Sequence, residues 1–134
     1  MKYPIGTQTF SKIIEEGMVY VDKTALVYYL AQKNICFFCR PRRFGKSLLI
    51  STLESYFRGE KELFRGLEME KLEKDWVQYP VFRIDFENGN FGKKEGLTNL
   101  INDYLLQWER QYGKESDVVE LGRRFQNVIK KAHE

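Results

Sequence analysis

The stretch CRPRRFGKSLL, Cys39 to Leu49, decides how this chain is read. Its Gly45-Lys46-Ser47 is the tail of a phosphate-binding loop, in which backbone N–H groups at a helix N-terminus face anionic oxygens. The glycine that opens such a loop should stand five positions before Gly45, and Arg40 stands there instead. The stretch is therefore either a nucleotide site of unusual build or a solvated basic turn. What lies on each side of it decides between the two.

Upstream, Ile35 to Cys39 is an uninterrupted apolar run, the pattern of a strand covered on both faces in a parallel sheet. Downstream, Leu49, Leu53, Tyr56 and Phe57 mark one face of an amphipathic helix that ends near Arg58-Gly59. A strand, then the loop, then a helix is the context the motif requires. Further out, Phe10, Ile13 and Ile14 recur at helical spacing up to Gly17, and Met18 to Val21 reads as extended. Asp22 looks like a helix cap, and a helix from Thr24 through Leu26, Tyr29 and Leu30 ends at Gln32-Lys33-Asn34. Short helical turns follow around Leu63-Phe64 and Met69–Leu72. Pro80 introduces a second strand, Val81 to Phe86, which Asn88-Gly89-Asn90 breaks. One closing helix runs along Leu97, Leu100, Ile101, Tyr104, Leu105 and Trp108. The other runs along Val118, Leu121, Phe125, Val128, Ile129 and Ala132. The expected fold is α/β and P-loop-like: the N-terminal portion of such a domain, with a partial parallel sheet flanked by helices.

Composition agrees with a folded domain. The 134 residues are 43% hydrophobic and 31% charged, enough apolar surface for a core. A net charge of +3 is too small for wholesale attraction to nucleic acid or membrane, so the position of the charges matters. Arg40, Arg42 and Arg43 fall together. No apolar leader opens the chain, and no segment approaches the roughly 20 apolar residues of a membrane span, so a cytoplasmic location and no membrane partner are expected. Cys36 and Cys39 would face opposite sides of a strand, and no second cysteine pair completes a zinc site. Both are expected to be buried thiols.

The chemistry concentrates in the loop. Gly45 lets backbone approach a phosphate, Lys46 reaches toward the β- and γ-phosphates as the candidate catalytic residue, and the Ser47 hydroxyl suits Mg²⁺. Arg40-Pro41 takes the place of the opening glycine, since proline fixes φ and makes the residue before it extended. Arg42 and Arg43 add charge beside a polyphosphate. The candidate cofactor-binding set is Arg40, Pro41, Arg42, Arg43, Phe44, Gly45, Lys46, Ser47 and Leu48. Asp85 is a second candidate for Mg²⁺, at the C-terminal end of its strand, where ligands of open α/β sheets gather. It shares a face with Arg83, and an Arg-Asp pair on one face suits a structural role. Asp22 and Thr24 read as a helix cap. His133 is the lone histidine and is expected in solvent. Tyr104, Trp108 and Tyr112 sit at helical spacing, as core residues do.

Arg40-Pro41-Arg42-Arg43-Phe44-Gly45-Lys46-Ser47 followed by Leu-Leu, with Tyr20-Val21-Asp22-Lys23-Thr24 upstream, resembles the bacterial AAA-ATPase-like proteins. Members of that family are often fused to a C-terminal nuclease-like domain of the PD-(D/E)XK type. Ile5-Gly6, Pro80-Val81, Asp85-Phe86 and Ile129-Lys130-Lys131-Ala132-His133 sit in the family's order, so the resemblance spans nearly the whole chain. It implies a P-loop ATPase domain over residues 1–134, truncated before a Walker B strand, with ATP and Mg²⁺ as cofactors and RPRRFGKS as a variant Walker A loop. It also implies a DNA link through the nuclease-like domain, and the expected unpaired sheet edge would favour self-association. The resemblance also allows the turn at Asp22 and Thr24 to border the nucleotide base. Nucleotide binding is the expected function, with hydrolysis left open. The alternative is a nucleic-acid or anion-binding module in which Arg40, Arg42 and Arg43 contact phosphates without nucleotide hydrolysis.

Overall fold

The structure, a computed structural model, describes residues 1–114 and 119–134, the side chain of Asn88 excepted, and its regular elements are helices. They are α1 (Phe10–Glu15), α2 (Thr24–Ala31), α3 (Lys46–Phe57), α4 (Glu68–Leu72), α5 (Gly96–Tyr112) and α6 (Leu121–His133), with 3₁₀ turns at Lys61–Phe64 and Phe86–Asn88. Among the described residues there is no β-strand, only an isolated parallel bridge between Lys2 and Met18. This overturns the expected α/β, P-loop-like fold with its partial parallel sheet.

The reason is physical. An apolar run records a need for cover, but a strand exists only where its N–H and C=O groups pair with a neighbour. Neither expected strand finds one among the described residues. Ile35 and Phe37 are 93% and 90% exposed, and Cys36 and Cys39 are exposed free thiols rather than buried ones. In the second segment Phe82 packs inward, while Ile84 and Phe86 stay exposed, so the alternation does not become a buried face. Self-association through a sheet edge accordingly has no edge strand among these residues to run through.

The chain divides into two compact units, Met1–Val81 and Phe82–Glu134. In the first, Phe10, Val27, Phe64 and Met69 form the buried core, with α1 and α2 on α3 and α4 on α2. Helix α3 meets it unexpectedly. Its most buried residues are Ser51, Thr52 and Ser55, whereas the expected Leu49, Leu53 and Tyr56 are only partly buried. Small hydroxyl residues let neighbouring backbone come close: Ser51 Oγ accepts the Phe10 N–H at 3.0 Å and directs its own proton to Leu48 O at 3.0 Å or Gln8 O at 3.2 Å. The first N–H of α1, which its own helix cannot satisfy, is thereby paired.

Asp22 and Thr24 do cap a helix start, and they also cap a second one. Asp22 Oδ1 accepts the Thr24 N–H at 2.9 Å at the start of α2, and Oδ2 accepts the Glu68 N–H at 2.8 Å at the start of α4. Thr24 Oγ1 accepts the Met69 N–H at 3.0 Å and donates to Asp22 Oδ1 at 2.7 Å. Burial pushes the Asp22 carboxyl up, but the hydrogen bonds from Thr24 and Glu68, with the charge of Lys71, outweigh it and hold the group below the usual range.

In the second unit Leu105, Trp108 and Val128 are buried between α5 and α6, and Phe82 meets Trp108 edge-on at 4.9 Å. The expected aromatic stripe is core: Tyr104 stacks on Trp108 at 5.6 Å, and Tyr112 packs against the same cluster. The expected first residue of the closing helix, Val118, lies outside the described residues. Across the two helices Arg124 donates to both carboxylate oxygens of Glu109, at 2.9 and 2.8 Å, and to Asn102 Oδ1 at 2.6 Å. These hydrogen bonds hold the Glu109 carboxyl below the usual carboxylate range against the opposing effect of burial, and they raise Arg124.

Replacing Arg124 with methionine should therefore strand a buried carboxylate and cost about 3 kcal/mol near neutral pH. Because the folded pKa of Glu109 is depressed, the stabilisation is complete above the ordinary carboxylate range and is lost as pH falls through the depressed value. Urea unfolding of both proteins at neutral pH and around pH 3 reads the difference. A gap that stays constant into acid contradicts the ion pair as its source.

Candidate functional site

The Arg40–Leu48 loop leads into α3 with the backbone geometry its residues dictate. Gly45, the residue before the first helical turn, is left-handed at φ 79° and ψ 19°, and a Cβ there would meet nothing within 4 Å. Glycine is required at this position for its conformation rather than for room. Left-handed Gly45 followed by helical Lys46 turns successive N–H groups toward one side, the arrangement of an anion-binding nest. Helix geometry leaves the N–H groups of Lys46, Ser47 and Leu48 without partners inside α3, whose first turn-closing bond runs from Leu49 N–H to Gly45 O at 2.9 Å. No side chain caps this end. An uncapped helix start with its positive pole outward is a ready anion site.

Arg43 is also left-handed, at φ 65°, which a non-glycine residue adopts only at some cost. Arg40 to Ser47 are all exposed, and Leu48 is half-buried against the core. Among the described residues none of Arg40, Arg42, Arg43 and Lys46 is in an ion pair. Arg40 does lie over the Phe38 ring, with its guanidinium carbon 6.0 Å from the centroid. A signal in the sequence explains the unpaired charge: from Lys23 to Leu53 there is no aspartate or glutamate. Four cations in seven residues thus stand around bare N–H groups with no local counter-charge.

The other candidates fare differently. Asp85 belongs to the second unit and is engaged locally: its Oδ1 accepts the Glu87 N–H at 2.9 Å at the start of the 3₁₀ turn. The Tyr104 hydroxyl meets its backbone, accepting from the N–H at 2.9 Å. His133 is exposed. Among the described residues no group of three or more His, Cys, Asp or Glu side chains could hold a metal. On the loop, Ser47 is the residue with an exposed hydroxyl, and a serine oxygen suits a hard cation only where phosphate or water supplies the remaining ligands.

Residues 4–134 match the family described as "Predicted AAA-ATPase". The chain belongs to this AAA-ATPase-like family. It is also 40% identical over 135 residues to a protein of Azotobacter chroococcum mcd 1 titled "Uncharacterized protein in vnfD 5'region". That alignment covers 98% of this chain and 26% of the relative, so the chain spans about a quarter of the relative's length. No solved structure matches. No helix among the described residues is long and apolar enough to cross a membrane.

The geometry of Gly45 yields a specific expectation. Gly45→Ala should lose about 1 kcal/mol of stability, because alanine is strained where φ is positive. Gly122→Ala, inside α6 and with nothing within 4 Å of the added Cβ, should instead gain stability, by at most about 1 kcal/mol. Thermal unfolding of the two variants checks the opposite signs, and an unchanged midpoint for Gly45→Ala contradicts the strained turn.

Proposed function

We propose that this chain binds a nucleoside triphosphate, ATP by its family, through the Arg40–Leu48 loop acting as a variant Walker A segment. The observation that carries the reading is the uncapped start of α3 behind left-handed Gly45, within a cluster of cations that has no acidic residue nearby in the chain. Backbone N–H groups of Lys46, Ser47 and Leu48 would take phosphate oxygens, and the Lys46 ammonium would reach the β- and γ-phosphates. Arg42 and Arg43 would add bidentate contacts that grow with phosphate number, and Arg40-Pro41 would shape the turn that a glycine ordinarily makes. Phe44, 64% exposed, would flank the phosphates without packing of its own to disturb.

Mg²⁺, where it accompanies the triphosphate, neutralises charge on the β- and γ-oxygens. Ser47 is the residue assigned to it. Asp85 lies in the second unit with one carboxylate oxygen committed to the Glu87 N–H, and it is given no role at the loop. Hydrolysis, and a DNA-directed activity of a nuclease-like domain, belong to this proposal only through the family. A second reading rests on the same acid-free run: the arginines contact nucleic-acid phosphates with no nucleotide chemistry.

Lys46→Ala should lower MgATP affinity at least tenfold without moving the thermal midpoint, because the side chain is exposed. Calorimetric titration alongside a melt is the measurement, and unchanged affinity contradicts the reading. Neutralising Arg42 and Arg43 together should weaken ATP more than AMP. Equal losses, or binding to DNA that is salt-sensitive and indifferent to ATP, favour the second reading.

A further inference from the structure

The last turns of α2 and α3 line a cavity of about 240 Å³ together with residues of the strap from Glu73 to Tyr79. Two hydrogen bonds hold the strap, and it passes close over Gly59. The Tyr56 hydroxyl donates to Glu73 Oε2 at 2.5 Å, the Tyr79 N–H donates to Phe57 O at 2.7 Å, and at Gly59 a Cβ would lie 2.8 Å from the Gln78 side chain and 3.2 Å from Trp76 O. Trp76 takes φ 45°, a conformation tryptophan adopts only under such constraint.

Four aromatic residues line this cavity: Tyr56, Phe57, Trp76 and Tyr79. Tyr56 and Trp76 cross at 74° with centroids 5.9 Å apart, and Phe57 and Tyr79 cross at 77° with centroids 6.1 Å apart. Aromatic side chains gathered around one space offer a cation the attraction of their ring quadrupoles. Two carboxylates, Glu73 and Asp75, stand in the same lining. Hydrogen bonds from the Tyr56 hydroxyl and from strap N–H groups keep Glu73 ionised, below the usual carboxylate range. The negative poles of α2 and α3 also end here.

Both charged side chains in the lining, Glu73 and Asp75, favour a positive guest. An anion would be repelled, and a neutral apolar guest would forgo the carboxylates. A bare metal ion finds no group of three ligating side chains among the described residues. We infer that this cavity binds a small organic cation of the alkylammonium class, its charged head seated among Tyr56, Trp76 and Tyr79 and facing Glu73 and Asp75. The site is independent of the phosphate-binding proposal and lies at the other end of α3, roughly 18 Å away along a twelve-residue helix.

The probes are tetramethylammonium chloride and a neutral analogue of similar shape with one added hydroxyl, neopentyl alcohol, at ionic strength matched with sodium chloride. The chain has two tryptophans, so Trp108→Phe leaves Trp76 as the fluorescent reporter. Saturation-transfer NMR on the unmodified chain reads the probe's methyl signal independently. Saturable quenching of Trp76 in the millimolar range is expected, with roughly fivefold weaker binding for Asp75→Asn and for Tyr79→Leu, both at exposed positions. No saturable binding by either method overturns the assignment. So does neopentyl alcohol binding as tightly as the cation, or the two variants binding as the parent does.

Discussion

The bond from the Phe10 N–H to the Ser51 hydroxyl joins residues 41 apart in sequence and sets how α1 lies on α3. Left without it, the buried N–H would cost about 1–3 kcal/mol. Thr52 and Ser55 continue the same face, with Thr52 Oγ1 returning its proton to Leu48 O at 2.7 Å. Hydroxyls thus hold the middle of α3 while the half-buried leucines and Tyr56 close the core around it. Both ends of the helix are left for other work. Its N-terminus carries the basic loop, and its C-terminus contributes two aromatic residues to the cavity beneath the strap.

Helix α3 therefore presents opposite electrostatics at its two ends, and the sequence reinforces each. Around the N-terminus the run from Lys23 to Leu53 supplies lysines and arginines and no acid. Around the C-terminus Glu73 and Asp75 come in from the strap. The helix dipole has the matching sign at both places. Such an element can seat an anion at one end and a cation at the other without any metal cluster or histidine.

What could be read in the sequence was whatever is local. Apolar spacing placed α1, α2, α3, α5 and α6, and even the short turns near Leu63 and Met69, because helical hydrogen bonds close within four residues. The basic loop and its glycine were legible for the same reason. Strands were not, since pairing is a property of two segments: Ile35–Cys39 and Val81–Phe86 carry strand-like composition and find no strand partner among the described residues. Long-range polar contacts escaped as well. Nothing at Asp22 and Thr24 announces that they cap a helix some 45 residues on, and nothing at Arg124 names Glu109 as its partner. The aromatic cavity is hidden likewise, because Tyr56 and Phe57 belong to one helical pattern and Trp76 and Tyr79 to a stretch with none. The acid-free run was open to inspection and is the one strong signal that composition totals obscure.

The central claim is that phosphate meets backbone at the start of α3. The most direct measurement is the amide NMR spectrum of the chain during a MgATP titration, followed at Gly45, Lys46, Ser47 and Leu48. The account predicts that these four amides shift together and saturate with the ligand, with Ala31 and Gln32 at the distant end of α2 left in place. Saturating ATP that leaves Gly45 to Leu48 unmoved would contradict it.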